Sequence, residues 1–172
     1  LTFTKSNYQN SRVLEGERAG VEHSYVWMGS PGFCFPSEHV YAIQLMTTIL
    51  GRGMDSRLFT EVREKQGLVY GISCAYNDWQ GGSVSMIDFS TRDLNVDFAI
   101  ELVNKELYLI KNTLVHEEEL QRAKNKMRSS FYSAIEDSYS IAYWGVKQRL
   151  YGKPSIDEYI KNVEKVTQDD II

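Results

Sequence analysis

The stretch Gly51-Arg52-Gly53-Met54-Asp55-Ser56-Arg57-Leu58-Phe59-Thr60-Glu61-Val62-Arg63-Glu64-Lys65-Gln66-Gly67-Leu68-Val69-Tyr70 changes its preferred backbone several times within a short run. Gly51 to Gly53 ends whatever helix precedes it, because glycine weakens a helix interior and reaches backbone angles other residues avoid. Asp55 is placed to cap a short helix from Ser56 to about Lys65, with Leu58, Phe59 and Val62 turned inward. Gly67 then stands where a C-terminal cap belongs, and β-branched and aromatic residues follow at once. A helix that hands over so directly to a strand predicts a sheet with helices packed on it.

Upstream, residues 21–28 read as a strand closed by the turn residues Gly29-Ser30-Pro31-Gly32. Ser37 is a candidate cap for a helix whose Ala42, Leu45, Met46 and Ile49 recur at helical spacing. Downstream, residues 68–76 and 83–92 read as an antiparallel pair joined by a loop over 77–82, with Trp79 in that loop. Val96, Ile100, Val103, Leu107, Ile110 and Leu114 lay an apolar stripe along one long helix, and Leu120, Ala123, Met127, Phe131 and Ala134 along the next. Glu117, Glu118 and Glu119 open that second helix, where the dipole favours anions. A further helix runs from about Ser138 to Gly152, and Ser155 with Glu158 forms a capping box for one more. The order predicts an α+β fold, an antiparallel-rich sheet covered by helices, in a single domain spanning residues 1–172.

The charge balance narrows the function. The net charge of −4 and the lack of any run of Lys and Arg interleaved with aromatics argue against a nucleic-acid surface. No apolar run approaches the roughly 20 residues a spanning helix needs, and Leu1 to Asn10 are polar, so no membrane partner is expected. Cys34 and Cys74 sit among apolar neighbours and are expected to be buried, reduced thiols, consistent with a cytoplasmic setting. The abrupt start, and a helix-start signal at Thr167 with almost no helix after it, suggest a fragment of something longer.

The run from Gly51 to Tyr70 resembles the pitrilysin/insulinase family of zinc metallopeptidases, which includes mitochondrial processing peptidase. Members carry a similar glycine-rich turn, Ser-Arg-Leu-Phe, Arg-Glu-Lys and Gly-Leu-x-Tyr in the domain that follows their zinc domain. Glu118-Glu119-Leu120-Gln121-Arg122-Ala123-Lys124 and Val166-Thr167-Gln168-Asp169-Asp170-Ile171 are similar to further family segments. The resemblance implies the C-terminal, metal-free half of a metalloendopeptidase. It also implies that an arginine and a tyrosine seven positions apart, here Arg63 and Tyr70, hold a peptide substrate at zinc carried by a complementary half, on the same polypeptide or a separate subunit. A fixed cation and a phenol aimed at a peptide carbonyl can orient it and stabilise the oxyanion that develops. Read alone, Arg63 is a solvated cation favourable to a helix C-terminus and Tyr70 an ordinary strand aromatic. Arg57 and Phe59 are expected to be structural.

The family's inverted zinc motif, His-x-x-Glu-His, is missing: Leu120 stands four residues after His116, and His23 and His39 share no helical ligand spacing with it. No catalytic residue and no bound metal or other cofactor is expected in this chain. His116 and Glu119 could at most pinch a stray metal across one turn. Two other readings remain open at this stage. The chain could be an inactive structural or assembly subunit of the same fold, or a peptide-binding module that works by itself.

Overall fold

A computed structural model describes residues 12–17, 19–79 and 81–172. The polar stretch Leu1 to Asn10 and Gln80 of the expected loop lie outside them. The described chain forms β1 (Ser24–Pro31), α1 (His39–Gly51), a π-helix (Phe59–Glu64), β2 (Val69–Trp79), β3 (Gly82–Thr91) and four helices, α2 (Val96–Asn112), α3 (Glu117–Ile135), α4 (Ser138–Tyr151) and α5 (Ile156–Lys165). This is the expected α+β arrangement. The sheet is antiparallel, in the order β1-β3-β2.

One face of the sheet makes the core. Val69, Ile72 and Cys74 of β2 and Ile87, Phe89 and Thr91 of β3 are buried there, together with Leu45, Ile49 and Leu50 of α1. Leu58 and Val62 from the segment between α1 and β2, Val103 and Ile110 of α2, and Leu120, Ala123 and Met127 of α3 complete it. Removing apolar area of this kind from water supplies the main driving force for folding. The opposite face carries Tyr25, Trp27, Met86, Asp88, Gly71 and Ser73, all exposed or half-buried.

Gly51 shows why the Gly51 to Gly53 turn is written as it is. A Cβ at Gly51 would stand 2.1 Å from the Cys74 backbone nitrogen and 2.7 Å from its Cα. No side chain fits where the end of α1 crosses β2. Gly67 has φ of 62° and Gly152 φ of 67°, the left-handed conformation that glycine adopts without a Cβ penalty. Both therefore terminate their elements as expected.

Several local expectations are corrected. β1 begins at Ser24 and runs through Pro31, because Gly29, Ser30 and Pro31 pair with Met86, Ser85 and Val84. Proline is tolerated there because β1 lies at the edge of the described sheet, where a ladder N–H can be dispensed with. The 77–82 loop shrinks, since Asn77, Asp78 and Trp79 continue β2 and pair with Val84, Ser83 and Gly82 of β3. Ser37 makes no capping bond to α1. Asp55 does not cap its helix; its carboxylate pairs with Lys126 of α3, while the Ser56 hydroxyl donates to the Gly53 carbonyl at 2.6 Å. α2 stops at Asn112, leaving Leu114 half exposed while Val115 takes the buried position. At the capping box, the Ser155 hydroxyl accepts from the Glu158 N–H at 3.2 Å. Cys34 is half-buried, Cys74 is buried, and both are free thiols. Burial, with Asp88 nearby, pushes the Cys74 thiol up to about 12, which keeps it protonated and unreactive.

An ion pair joins the hairpin tip to the helical third of the chain. The Lys153 ammonium, 8% exposed, donates to Asp78 Oδ2 at 2.7 Å and stands 4.9 Å over the Phe35 ring and 5.5 Å over the Trp144 ring. Burial pulls its pKa down against the opposing pull of Asp78. The sequence pattern gave no sign of this lysine, because an isolated Lys after a helix-ending glycine reads as solvated loop.

Candidate functional site

The segment leading to Arg63 is fixed at its base. Leu58 and Val62 are fully buried. The Arg57 guanidinium donates to both oxygens of Glu119, from Nε at 2.7 Å and Nη2 at 2.6 Å. This bidentate pair between the segment and α3 gives Glu119 a role beyond complementing the helix dipole, and it occupies the carboxylate that His116 would need to pinch a metal. Arg57 is structural, as expected.

From Phe59 to Glu64 the backbone widens into a π-helix. The Lys65 N–H donates to the Thr60 carbonyl, five residues back, at 3.0 Å, and the Gly67 N–H then closes an ordinary four-residue turn on the Arg63 carbonyl at 2.9 Å. Inserted π turns of this kind are found disproportionately at functional sites. Arg63 occupies the last turn and is exposed, with its guanidinium 4.6 Å above the Phe59 ring. Phe59, itself packed against the core, thereby aims the cation through a cation–π contact. Among the described residues no carboxylate lies within ion-pair distance of Arg63 and no acceptor takes a bond from its side chain.

Tyr70 follows Gly67 at the start of β2, and the sheet register explains its direction. Val69 pairs with Thr91 and Gly71 with Ser90, so Tyr70 is an extra residue with no partner on β3. Such a bulge bends a strand and re-aims a side chain. The Thr91 hydroxyl pins the bulge by donating to the Leu68 carbonyl at 2.5 Å. Tyr70 is 56% exposed. Its ring meets the His23 ring edge to face at 4.6 Å, and its hydroxyl makes no hydrogen bond among the described residues. Arg63 and Tyr70 thus flank one glycine turn, both presented to solvent on rigid supports with donors uncommitted.

Among the described residues no group of three or more His, Cys, Asp or Glu side chains could hold a metal ion. The donor set of the described residues does not fit zinc. No helix among the described residues is long and apolar enough to cross a membrane.

Comparison with known proteins identifies the family. Residues 3–127 match the family model described as the peptidase M16 inactive domain. An uncharacterized zinc protease of Rickettsia felis is 32% identical over 178 residues, covering 98% of this chain and 42% of that protein. One of Streptomyces coelicolor is 28% identical over 153 residues, covering 88% of this chain and 33% of that protein. The chain therefore spans well under half the length of these relatives. The crystal structure of a peptidase M16 inactive domain from Pseudomonas fluorescens superposes with a TM-score of 0.74 at 24% identity, over 87% of this chain and 36% of that one. The family match covers most of the chain, and the chain belongs to the M16 peptidases, the pitrilysin/insulinase group, as their inactive domain.

Proposed function

We propose that this chain is the substrate-holding C-terminal domain of a longer zinc-dependent metalloendopeptidase, with the zinc site on a complementary half of the same polypeptide or on a separate subunit. The observation that carries the reading is the contrast in partners. Arg57 is consumed by Glu119, whereas Arg63 and Tyr70, from the same run, keep every side-chain donor available among the described residues. Arg63 supplies a fixed positive charge and Tyr70 a neutral phenol donor. Directed at a peptide carbonyl, the two restrict its orientation and favour the charge that gathers on oxygen as the bond is attacked. Preorganisation comes from Phe59 under the guanidinium, His23 against the phenol ring, and Gly67 between the two residues.

The domain is expected to be inert by itself. Zinc content and peptidase activity measured on residues 1–172, beside the full-length product of the gene, test this. Neither stoichiometric zinc nor cleavage in the short form, with both in the long form, supports the reading. Zinc-dependent cleavage by the short form contradicts it. Absence of both from the full-length product as well would favour an assembly subunit of the same fold.

A further inference from the structure

Alternation along β2 is broken at one point, and the break decides which way Tyr70 faces. Counted back from the buried Ile72, strict alternation would send Gly71 outward, Tyr70 into the core and Val69 to solvent. The extra residue between Val69 and Gly71 reverses the last two, so that Val69 is 6% exposed and Tyr70 56%. Val69 and Ile72 thereby both reach the core, while Tyr70 and Gly71 are exposed together. Residue type does not force this register, since valine and tyrosine both suit a strand on either face. It has to be fixed from outside β2.

The neighbouring strand supplies the restraint. Thr91 of β3 lies between Ser24 of β1 and Val69 of β2 and is 0% exposed. Its hydroxyl donates to the carbonyl of Leu68, just ahead of the bulge. The N–H of Leu68 donates to the Val62 carbonyl at 3.3 Å. Leu68 is therefore held on one side by the π-helix that presents Arg63 and on the other by the strand beside Tyr70. Valine has nearly the shape of threonine and packs well in a buried strand, so packing alone does not call for a hydroxyl at this position. A hydroxyl buried this completely is explained by the main-chain acceptor it satisfies.

We propose that Thr91 is a positioning residue for substrate holding: its hydroxyl selects the bulged register of β2 and so turns the Tyr70 phenol out of the core. The inference rests on the substrate-holding reading of Tyr70. Because Thr91 is buried within the described residues, its role does not depend on which faces of the sheet the rest of a longer protein covers.

The test compares kcat/KM of full-length variants on an internally quenched peptide that the unaltered protein cleaves, with zinc content and melting temperature measured alongside. Thr91→Val removes the hydroxyl and keeps the shape, whereas Thr91→Ser keeps the hydroxyl and removes the methyl group. Both should melt lower, the valine variant because a buried carbonyl is stranded and the serine variant because packing is lost. Thr91→Val should nonetheless lose about tenfold in kcat/KM and Thr91→Ser less than about twofold, with zinc unchanged in both. Where the valine variant fails to fold, Thr91→Ala set against Thr91→Ser gives the same comparison. Thr91→Val combined with Tyr70→Phe should lose no more than Tyr70→Phe alone, because both changes remove the same phenol. Full turnover in Thr91→Val beside a loss in Tyr70→Phe, equal losses in the valine and serine variants, or a double variant that falls by the product of the two single losses overturns the role of Thr91 and leaves that of Tyr70 intact. Unchanged turnover in Tyr70→Phe removes the substrate-holding reading of Tyr70 and this inference with it.

Discussion

Two arginines of one short segment have opposite fates. Arg57 is about four-fifths buried, clamped on both oxygens of Glu119, and ties the segment to α3. Arg63, half a dozen residues on, is exposed and rests on the Phe59 ring with its donors free. The segment is anchored from Gly51 to Val62 and presented to solvent at Arg63 and Tyr70, and under the proposed function the first end holds the second in place. Residue type alone does not separate a committed charge from an uncommitted one; the partner does.

That division predicts that changes at the anchored end act on stability and changes at the presented end on turnover. The largest stability effect should come from Gly51→Ala, whose Cβ would collide with the backbone of Cys74. A loss of roughly 4 kcal/mol is expected by chemical denaturation, since backbone cannot yield as a flexible side chain can. Arg57→Ala strands the Glu119 carboxylate and should cost about 2 kcal/mol of stability, seen as a lower denaturation midpoint with an unchanged slope. A full-length Arg57→Ala protein that keeps its midpoint would erase the distinction between the two arginines. Phe59→Leu keeps the apolar packing but removes the ring beneath Arg63. It should raise KM several-fold, about 1 kcal/mol, with only a small shift in melting temperature.

The smallest effect is expected at Glu106, buried on α2. Burial, aided by Glu61, raises its carboxyl above the ordinary value of 4.5, with Arg57 pulling the other way. A carboxyl raised in the folded state favours folding while protonated. Stability is therefore lost as pH climbs from the ordinary value through the raised one. Glu106→Gln should be neutral to slightly stabilising at neutral pH, and that gain should vanish once the medium is acid enough to protonate free glutamate. A clear loss of stability at neutral pH would show that Arg57 needs Glu106 as well as Glu119.

Sequence order revealed the parts of this fold that are local. The buried positions Val103 and Ile110 of α2, and the left-handed stops at Gly67 and Gly152, follow from periodicity and from glycine's conformational range. Arg63 and Tyr70 stand out as candidates only through the resemblance of the run around them. What could not be read is what depends on distant partners. Asp55 has the chemistry of a cap, yet Lys126, brought up by α3, competes for it and wins. Trp79 and Pro31 sit in strands because β3 lies beside them, which overrides their turn-like neighbours. The π-helix leaves no periodic trace, since a single inserted residue shifts the register without changing residue type. Tyr70 breaks the alternation of β2 for the same reason, and that break is what turns it outward.

The most direct test of the account is a double-mutant cycle on the full-length protein. Turnover of a peptide substrate would be measured for Arg63→Ala, Tyr70→Phe and both together, with zinc content and melting temperature alongside. Arg63→Ala should lower kcat/KM by about a hundredfold and Tyr70→Phe by about tenfold. The double variant should lose less than the product of the two, with zinc and melting temperature unchanged. Turnover that survives Arg63→Ala, or falls only in step with lost zinc or lost stability, would contradict the claim that these residues hold the substrate.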